Sequence, residues 1–377
     1  MLSSLKKRLR SHVINAHGWR TSKKIVVIES DDWGAIRLPE RELLGKLKGW
    51  GIDIDGDYYL KNDALASEED LQRLFDILRS NITGQGSRPV ITANTIMGNP
   101  DFGKIETDRF ETFHFEHFTE TFKRYPNHQG AFQLWKKGMK EKLFHPQFHG
   151  REHLHVHRWM RGLQDRSSET SKLFNEKLFA VCGSASTENR KSYMAAYEWD
   201  EDEDRDFTVQ SIREGLKLFE ETFGYKSLSA IAPNYTWNGE MEKAYAEGGV
   251  RYLQGGTVQR SPVIGKESND LIRHHLGEKN SLGQTYLVRN CTFEPSAAPD
   301  KEWVESCLKE IKTAFTWRKP AIIASHRVNF IGYINPENRD RNLKLLDELL
   351  QKIIKTWPDV EFMTSEQLGE LASTSFR

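Results

Sequence analysis

The chain has 377 residues, of which 37% are hydrophobic and 29% charged, so it is long enough to bury a large core. Its 54 Lys and Arg residues balance 54 Asp and Glu residues, and a net charge of zero gives no general electrostatic case for binding nucleic acid or a membrane. The three cysteines, Cys182, Cys291 and Cys307, are widely separated, which argues against a disulfide framework and against a cysteine-built zinc site.

Residues 1–22 are predicted to be a basic segment ahead of one domain that covers residues 23–377. The cluster of Lys6, Lys7, Arg8 and Arg10 is typical of a solvated chain end. The segment lacks a long apolar core and a small-residue cleavage pattern, so we expect no secretory signal and a cytoplasmic location. No apolar run approaches the ~20 residues that span a bilayer, so we also expect no membrane span.

Short apolar runs rich in β-branched residues predict the strands. The clearest runs from Lys24 to Ser30 and is nearly all apolar, as a buried parallel strand should be. Each run ends in polar or turn residues, where such a strand is expected to stop. The other runs lie at 89–94, 229–232, 285–288, 321–325 and 360–363.

Between these runs, apolar residues recur at helical spacing. Ser67 with Asp70 three residues later predicts a capping box at the start of a helix. Asn335 and Pro336 predict the N-cap and the first residue of another helix. The apolar stripes of the predicted helices run over Leu71–Leu78, Trp303–Phe315 and Leu343–Ile354.

Predicted strands and helices alternate along the whole chain, which indicates a parallel sheet with helices outside it. An open doubly wound sheet and a closed barrel both fit this pattern. No internal repeat or low-complexity linker divides the chain, so a single α/β domain is expected. The polar segments 98–140 and 165–206 are interpreted as irregular loop insertions, and the acidic stretch Glu198–Asp206 as a solvated loop.

Two adjacent carboxylates, Asp31 and Asp32, follow the first predicted strand. Functional groups of parallel α/β folds gather at the carboxyl ends of the strands, so this position points to chemistry. Neighbouring carboxylates repel unless a cation or a shared proton holds them, and neighbours along a chain point in different directions. One can therefore ligate a metal while the other acts as a base. A plain Asp-rich turn before Gly34 is the alternative.

Histidines cluster in the middle of the chain. Five of the 13 histidines fall between His145 and His157. Neutral imidazole is the commonest ligand of zinc-like metals, and a step of four residues lets two rings reach one ion. The cluster therefore predicts a metal site, with a helix face bearing partly exposed histidines as the alternative.

The turn signals inside this cluster select a pair of ligands. Pro146 disfavours helix at His145, and Gly150 marks a turn ahead of a helix. His149 would then end a strand and His153 would begin the helix. We predict that this pair binds the metal, with His145 as the reserve ligand.

The same residues match a second pattern, the HxxEH motif of inverted zinc metalloproteases. That interpretation needs His149 and His153 on one helix, with Glu152 as the general base. Gly150 in the middle of the motif works against a continuous helix.

Two later strands also end in polar side chains. The run to Ala232 continues into Asn234, Tyr235 and Trp237, and such aromatic and amide groups suit the apolar faces and polar edges of a sugar ring. A backbone N–H near Tyr235 could face a developing oxyanion. The run at 321–325 ends at His326, a candidate general acid. Packed aromatic residues and a structural histidine are the alternatives.

These motifs, in this order, resemble the polysaccharide deacetylases, which form carbohydrate esterase family 4 and belong to the glycoside hydrolase/deacetylase superfamily. That family has two Asp after the first strand, an H-x-x-x-H motif, an arginine–proline–tyrosine segment and a late strand-end histidine. The resemblance spans roughly residues 25–365 and implies a distorted (β/α)7-type barrel in a single domain. It implies Asp31 as the base, Asp32, His149 and His153 as metal ligands, and His326 as the general acid.

The chain also departs from the family pattern. Trp33 follows the Asp pair where the family usually has Gly, and Ala232-Pro233-Asn234-Tyr235 lacks the arginine that normally orients the base. Arg289, at the end of the strand through Val288, or Arg151 could replace that arginine. The predicted substrate-binding residues are Trp33, Asn234, Tyr235, Trp237 and Arg289.

The function implied by the resemblance is removal of N-acetyl groups from a carbohydrate. Its cofactor would be one divalent ion, with Zn²⁺ preferred over Ni²⁺ or Co²⁺, and its partner an acetylated carbohydrate but no nucleic acid. Two other functions fit the motifs: an HxxEH-type zinc metalloprotease, and a non-catalytic carbohydrate-binding protein with the same fold. The sequence leaves the sugar, the choice between N- and O-acetyl groups and the oligomeric state open.

Overall fold

The structure is a computed structural model that describes residues 2–164, 169–180, 192–266 and 268–374, with side chains from Leu9 onward. The strands are β1 (Ile25–Trp33), β2 (Ile91–Ile96), β3 (Gly98–Pro100), β4 (Phe115–His117), β5 (Phe144–Gly150), β6 (Ser229–Ile231), β7 (Tyr252–Gly255), β8 (Val258–Ser261), β9 (Asp270–Arg273), β10 (Thr285–Val288), β11 (Cys291–Thr292), β12 (Ala321–His326) and β13 (Glu361–Met363).

The helices surround the main sheet and connect its strands. They are α1 (Leu2–Ala16), α2 (Leu43–Gly49), α3 (Tyr58–Asn62), α4 (Glu68–Ser80), α5 (Phe102–Thr107), α6 (Phe118–Arg124), α7 (Ala131–Lys140), α8 (Val156–Gln164), α9 (Glu169–Asn175), α10 (Asp202–Phe223), α11 (Gly239–Glu247), α12 (Trp303–Thr316), α13 (Pro336–Thr356) and α14 (Ser365–Thr374). Two 3₁₀ turns, Pro233–Tyr235 and Arg327–Asn329, follow β6 and β12.

The main sheet is parallel, and its strands follow one another in chain order. The order runs β1, β2, β5, β6, β7, β10, and β12 pairs with the other side of β1. The chain from Thr285 to Thr292 carries both β10, which pairs with β7, and β11, which pairs with β12. This bent run joins the two edges of the sheet. The fold is therefore the distorted (β/α) barrel with seven parallel positions, as the sequence predicted.

All six predicted strands are present, as β1, β2, β6, β10, β12 and β13, within a few residues of their predicted bounds. The capping box is also present, because Ser67 Oγ accepts from the Asp70 N–H at 3.3 Å and Asp70 accepts from the Ser67 N–H at 2.9 Å. Helix α13 begins at Pro336 with Asn335 as its N-cap residue. Local capping and strand signals therefore identified these strands and helix starts correctly.

The prediction of a solvated loop over Glu198–Asp206 is wrong. Helix α10 begins at Asp202, and Glu201 and Asp204 form its capping box. Three carboxylates in the first turn suit the positive end of the helix dipole, which is why an acidic run can open a helix. The rest of the predicted insertion 165–206 falls partly outside the described residues, as does Cys182.

The segment 98–140 is an ordered insertion, where the sequence suggested irregular structure. It holds the antiparallel pair β3–β4 and the helices α5, α6 and α7. Phe118 and Trp135 are fully buried and stack on each other with ring centroids 5.1 Å apart. The segment is polar overall because only one face of each helix enters the core.

The barrel strands bury both of their faces. Along β1, Val26 and Ile28 belong to the core formed with the outer helices, whereas Ile25 and Val27 pack with Leu368 of α14 in a second cluster. This alternation follows the period of two residues along a strand. None of the helices in the described ranges is long and apolar enough to cross a membrane. The predicted compartment stays a prediction.

Candidate active site

The carboxylates of Asp31 and Asp32 point to different partners at the end of β1. Asp31 pairs in register with His326 of β12, whereas the pairing of β1 with β2 shifts between Ser30 and Trp33. Asp32 has a φ of 70°, in the left-handed region, which is uncommon for a residue other than glycine. This local break turns the second carboxylate away from the first. Strained backbone of this kind is typical of functional sites.

Asp32, His149 and His153 form a compact group whose ligand atoms lie within 4.8 Å of one another. The Nε2 atoms of His149 and His153 are 3.3 Å and 3.7 Å from Asp32 Oδ1. The other carboxylate oxygen, Oδ2, accepts from Arg37 at 2.9 Å. All three side chains are buried, so one carboxylate oxygen and two imidazole nitrogens face a common point.

The chemistry of this group fits a divalent metal. The Nδ1 of His149 contacts the carbonyl of Ile231 at 2.9 Å, which orients the ring and directs Nε2 to Asp32. Burial lowers the pKa of His153 to about 3, so its imidazole is neutral, the form that binds metals. One carboxylate and two neutral imidazoles suit zinc, and also cobalt and nickel.

The structure brings together the predicted pair of histidines and leaves the reserve histidine apart. His149 lies in β5, one residue before its end, and His153 lies in the turn before α8. His145 contacts Glu366 at 2.9 Å through Nε2 and is not part of the Asp–His–His group. Gly150, with a φ of 131°, makes the turn between strand and helix that the sequence suggested.

Asp31 is held by a buried arginine. Arg289 Nη1 donates to Asp31 Oδ2 at 2.8 Å and Nη2 donates to Oδ1 at 2.7 Å, while the amide of Asn94 donates to Oδ1 at 2.7 Å. Burial alone would raise the pKa of Asp31, but the charge and hydrogen bonds of Arg289 hold this pKa well below its ordinary range. Asp31 is therefore ionised at any ordinary pH. Arg289 occupies the role expected of the missing arginine.

His326 faces Asp31 from β12. Its Nε2 is 3.8 Å from Asp31 Oδ2, and its Nδ1 contacts Glu294 Oε1 at 2.5 Å. Glu294 is fixed in turn by Asn329, whose amide donates to Oε2 at 2.7 Å. Burial alone would lower the pKa of His326, but Glu294, with Asp31 and Asp32, raises it to about 9. The imidazole is therefore protonated at neutral pH beside an ionised carboxylate.

These groups line one cavity of about 290 Å³ at the carboxyl end of the barrel. Tyr235 and Asn234 enter it from the 3₁₀ turn after β6, where both have positive φ values of 56° and 55°. Tyr59 of α3 lies on the other side, edge-on to the ring of His326 at 5.4 Å. The guanidinium of Arg37 lies 4.4 Å from the ring centroid of Tyr59. The cavity thus combines aromatic walls with polar groups, which suits a sugar ring.

Three predicted substrate contacts, Trp33, Trp237 and Arg289, do not line this cavity. Arg289 is buried and pairs with Asp31 and Glu29 instead. Trp33 has no exposed surface, packs edge-on against Phe144 at 4.8 Å, and donates its indole N–H to Ser30. Trp237 is 2% exposed and donates its indole N–H to Glu242 at 3.0 Å. Both indoles fill the core, so neither offers a surface that a substrate could touch.

The sequence offered a backbone N–H near Tyr235 as an oxyanion donor, and the N–H of Tyr235 itself is engaged inside the protein. It donates to the carbonyl of Ala232 at 3.1 Å and so closes the 3₁₀ turn. The phenol of Tyr235 accepts from Arg289 at 3.2 Å and lines the cavity instead. The predicted role of this N–H therefore finds no support in the hydrogen bonding of the described turn.

Sequence reasoning missed four residues of the site. Arg37 and Tyr59 come from the connection after β1, Met194 from the segment before α10, and Glu294 from the chain after β11. A signal existed only for Glu294, which stands two residues past the end of β11, in the same position relative to a strand as the other site residues. Arg37 and Met194 lie in loops and Tyr59 in the short helix α3, and the sequence does not specify the path of these connections.

The HxxEH interpretation is not supported by the geometry. His149 is in a strand, and no helix includes both histidines, since α8 begins at Val156. Glu152 is buried and accepts two hydrogen bonds from Arg151 and one from Ser211 at 3.0 Å. A carboxylate so engaged is not placed to activate water beside the histidine pair.

A second group of possible ligands, His155, Asp200 and Asp204, lies within 4.8 Å. Its carboxylates are already engaged: Asp200 accepts a fork from Arg158 at 2.6 Å and 2.9 Å, and Asp204 accepts the N–H groups of Asp200 and Glu201. These contacts make the group the cap of α10. The Asp32 group is therefore the stronger candidate for a metal.

No protein-family model and no curated protein matches this chain. Similar solved structures include a Mycobacterium smegmatis protein classed provisionally as a polysaccharide deacetylase, 13% identical, with 95% of this chain and 93% of that chain covered and a TM-score of 0.46. The 4-alpha-glucanotransferase of Thermococcus litoralis is 9% identical, with 94% of this chain and 41% of that chain covered and a TM-score of 0.47. The peptidoglycan deacetylase PdaC of Bacillus subtilis is 9% identical, with 93% of this chain and 91% of that chain covered and a TM-score of 0.37.

Deacetylases are thus among the solved structures to which this chain is similar. At these identities and TM-scores the likeness carries no argument about the reaction. The function proposed below is accordingly based on the residues of the cavity.

Proposed function

We propose that this protein is a metal-dependent hydrolase that removes acetyl groups from a carbohydrate, with N-acetyl groups as the expected substrate. One observation carries the proposal: a carboxylate held ionised by Arg289 and an imidazole held protonated by Glu294 lie 3.8 Å apart, beside an Asp–His–His group. Hydrolysis of an amide needs a base and an acid at the same place. A protein that only binds sugar has no use for that pair.

Asp32, His149 and His153 would hold one divalent ion, for which zinc is our first choice. Such an ion lowers the pKa of a bound water and polarises the substrate carbonyl. Arg37 holds the free oxygen of Asp32, and the carbonyl of Ile231 holds the ring of His149. These outer contacts keep the ligands in place and set which atoms face the ion.

Asp31 accepts the proton of the attacking water in this mechanism. The fork from Arg289 keeps Asp31 ionised and fixes both of its oxygens. The same charge makes Asp31 a weak base, so it can take a proton only from a water that is already acidified. This requirement explains why the base and the proposed metal ligand are neighbours at one strand end.

His326 then donates a proton to the departing amine nitrogen. Its pKa of about 9 means that the proton is present at neutral pH. Glu294 stabilises the charged form and fixes the ring through Nδ1, which leaves Nε2 toward Asp31 and the cavity. The products would be acetate and a free amino sugar.

The size of the cavity limits the substrate. About 290 Å³ is at the lower end of the range for small-molecule pockets, ~300–1,000 Å³, and suits an acetamido group with one sugar ring. Tyr59 and Tyr235 would flank the ring, and Asn234 and Arg37 would meet its polar edge. We therefore favour a terminal or single acetylated sugar over the interior of a long polymer.

The test combines metal content with acetate release for three proteins: the natural chain, Asp31→Asn and His149→Ala, each purified without added metal. We expect about one ion per chain in the natural protein and in Asp31→Asn, and loss of the ion in His149→Ala. Acetate release from small N-acetylated sugars should occur only with the natural protein. Absence of metal in the natural protein after soaking would overturn the mechanism, and metal without acetate release would favour a non-catalytic carbohydrate-binding protein.

A further inference from the structure

The outward face of helix α1 is apolar. Leu9 and Val13, one helical turn apart, expose 65% and 62% of their surfaces, among the highest values for large apolar residues in the described part of the chain. In the sequence the same spacing continues back to Leu5 and Leu2. Within the described side chains, the helix therefore presents two neighbouring apolar residues to its surroundings.

The face that α1 turns toward the protein is polar. Asn15 is 1% exposed and accepts from the amide of Asn290 at 2.9 Å, and His12 accepts from the indole of Trp317 at 2.9 Å. A helix on the surface of a globular protein normally has the opposite arrangement, with its apolar side inward. The inverted pattern indicates that the outer face of α1 is covered by a partner when the protein works.

The charge of α1 identifies the kind of partner. The helix contains Lys6, Lys7, Arg8 and Arg10 but no Asp or Glu, and the first acidic residue of the chain is Glu29, although the whole protein is neutral. Exposed Leu9 and Val13 on a helix whose charged residues are all basic fit the interface of a bilayer that contains anionic lipids. A second copy of α1 would instead bring eight like charges together, which disfavours dimerisation through this face.

We propose that α1 binds the surface of an anionic lipid bilayer, with Leu9 and Val13 among the lipid chains and the basic residues at the headgroups. The helix lies on the side of the barrel that carries the candidate site. Arg10 and Ile14 of α1 line a cavity of about 230 Å³ together with Tyr235 and Arg289, and Tyr235 also lines the catalytic cavity. The consequence for the substrate rests on the proposed function: an acetylated sugar carried by a lipid would reach the site from this surface.

The experiment is cosedimentation of the full chain with vesicles, in the absence of any sugar. Vesicles of phosphatidylcholine mixed with phosphatidylglycerol are compared with vesicles of phosphatidylcholine alone, each in low and in high salt. The natural protein should bind the anionic vesicles and lose most of this binding in high salt. The double variant Leu9→Asp/Val13→Asp should bind at least about tenfold more weakly, since it removes the apolar contact and adds two negative charges.

The matched control is Ile82→Asp, which changes an exposed apolar residue, 46% exposed, in the loop between α4 and β2 at the opposite end of the barrel. This variant should bind like the natural protein, and melting curves should show that all three proteins are folded. Binding by none of them would overturn the proposal, as would salt-sensitive binding that the α1 variant keeps. A dimer that only the α1 variant disrupts would assign the face to a second copy instead. None of these results depends on metal content or acetate release, so each proposal can fail alone.

Discussion

Arg289, one residue past the end of β10, clamps both oxygens of Asp31 at 2.8 Å and 2.7 Å. Its Nε donates to Glu29 at 2.6 Å, so one guanidinium joins two carboxylates that both project from β1. The resemblance placed an orienting arginine in the segment Ala232–Tyr235, where this chain has none. The same charge comes from the end of β10, and the geometry that it imposes on Asp31 can be tested directly.

Arg289→Lys should lower kcat by about 100-fold, because an ammonium is a point charge and cannot fix two oxygens, and small misplacements of a catalytic group carry costs of this size. Metal content should be unchanged. The control is Arg151→Lys, the other arginine that the sequence offered, which pairs with Glu152 and Glu214 rather than Asp31. Steady-state kinetics with thermal melts would check this, and an unchanged kcat in Arg289→Lys would show that the fork does not matter.

Removal of one proposed ligand should separate the two candidate histidines. His153→Ala should weaken binding of the divalent ion by more than about 100-fold, since loss of a supporting contact alone typically costs 10–100-fold. His145→Ala should bind the ion like the natural protein, because its ring contacts Glu366 and Gln147 within the barrel. Competition with a chromogenic chelator measures both affinities. Loss of the ion in His145→Ala and its retention in His153→Ala would show that His145, rather than His153, is the metal ligand.

The Glu294–His326 pair predicts a pH dependence. The pKa of His326 is raised to about 9, so the stability that its charged form contributes is fully present below the ordinary pKa of ~6.5. The proton itself is lost as the pH rises through about 9. Acetate release should fall over that upper range, and so should the contribution of the pair to stability. In Glu294→Gln the charge that raises the pKa is gone, so the loss should begin at lower pH.

Two measurements check the sign of this shift. A pH profile of kcat should move to lower pH in Glu294→Gln, and NMR titration of His326 in metal-free protein should give a lower pKa in the variant. The control is Glu361→Gln, which removes one carboxylate that is paired with Lys23 at the start of β13, away from the cavity, and should leave both readouts unchanged. An identical pH profile for Glu294→Gln and the natural protein would show that Glu294 does not set the pKa of His326.

The sequence predicted the strands and the core of the candidate site because both depend on local signals, whereas the closed barrel was implied by the family resemblance. Apolar runs that end in polar residues locate strand ends, and strand ends of a parallel sheet meet at one edge. Asp31, Asp32, His149, His153 and His326 were all found in this way. Arg37, Tyr59 and Met194 were not, because they reach the cavity from two loops and a short helix whose positions are set by tertiary packing rather than by spacing.

The errors have an equally physical origin. Trp33 ends β1, and Trp237 lies between the 3₁₀ turn after β6 and the start of α11, but both indoles enter the core. The acidic stretch before α10 was taken for a loop because its charges resemble a solvated surface, yet they cap and stabilise the first turn of a helix. Direction and capping context, rather than residue type, decided each case.

The two aromatic residues Tyr59 and Trp33 should respond to substitution in opposite ways. Tyr59 lines the cavity, so Tyr59→Leu should raise KM about tenfold by loss of the ring face and of the contact with Arg37, with little change in the melting temperature. Trp33→Phe should leave KM unchanged but lower the free energy of unfolding by about 1–3 kcal/mol, because it leaves a space in a closely packed core and removes the hydrogen bond to Ser30. Steady-state kinetics and urea unfolding on the same preparations separate the effects, and a raised KM in Trp33→Phe at unchanged stability would return Trp33 to the substrate site.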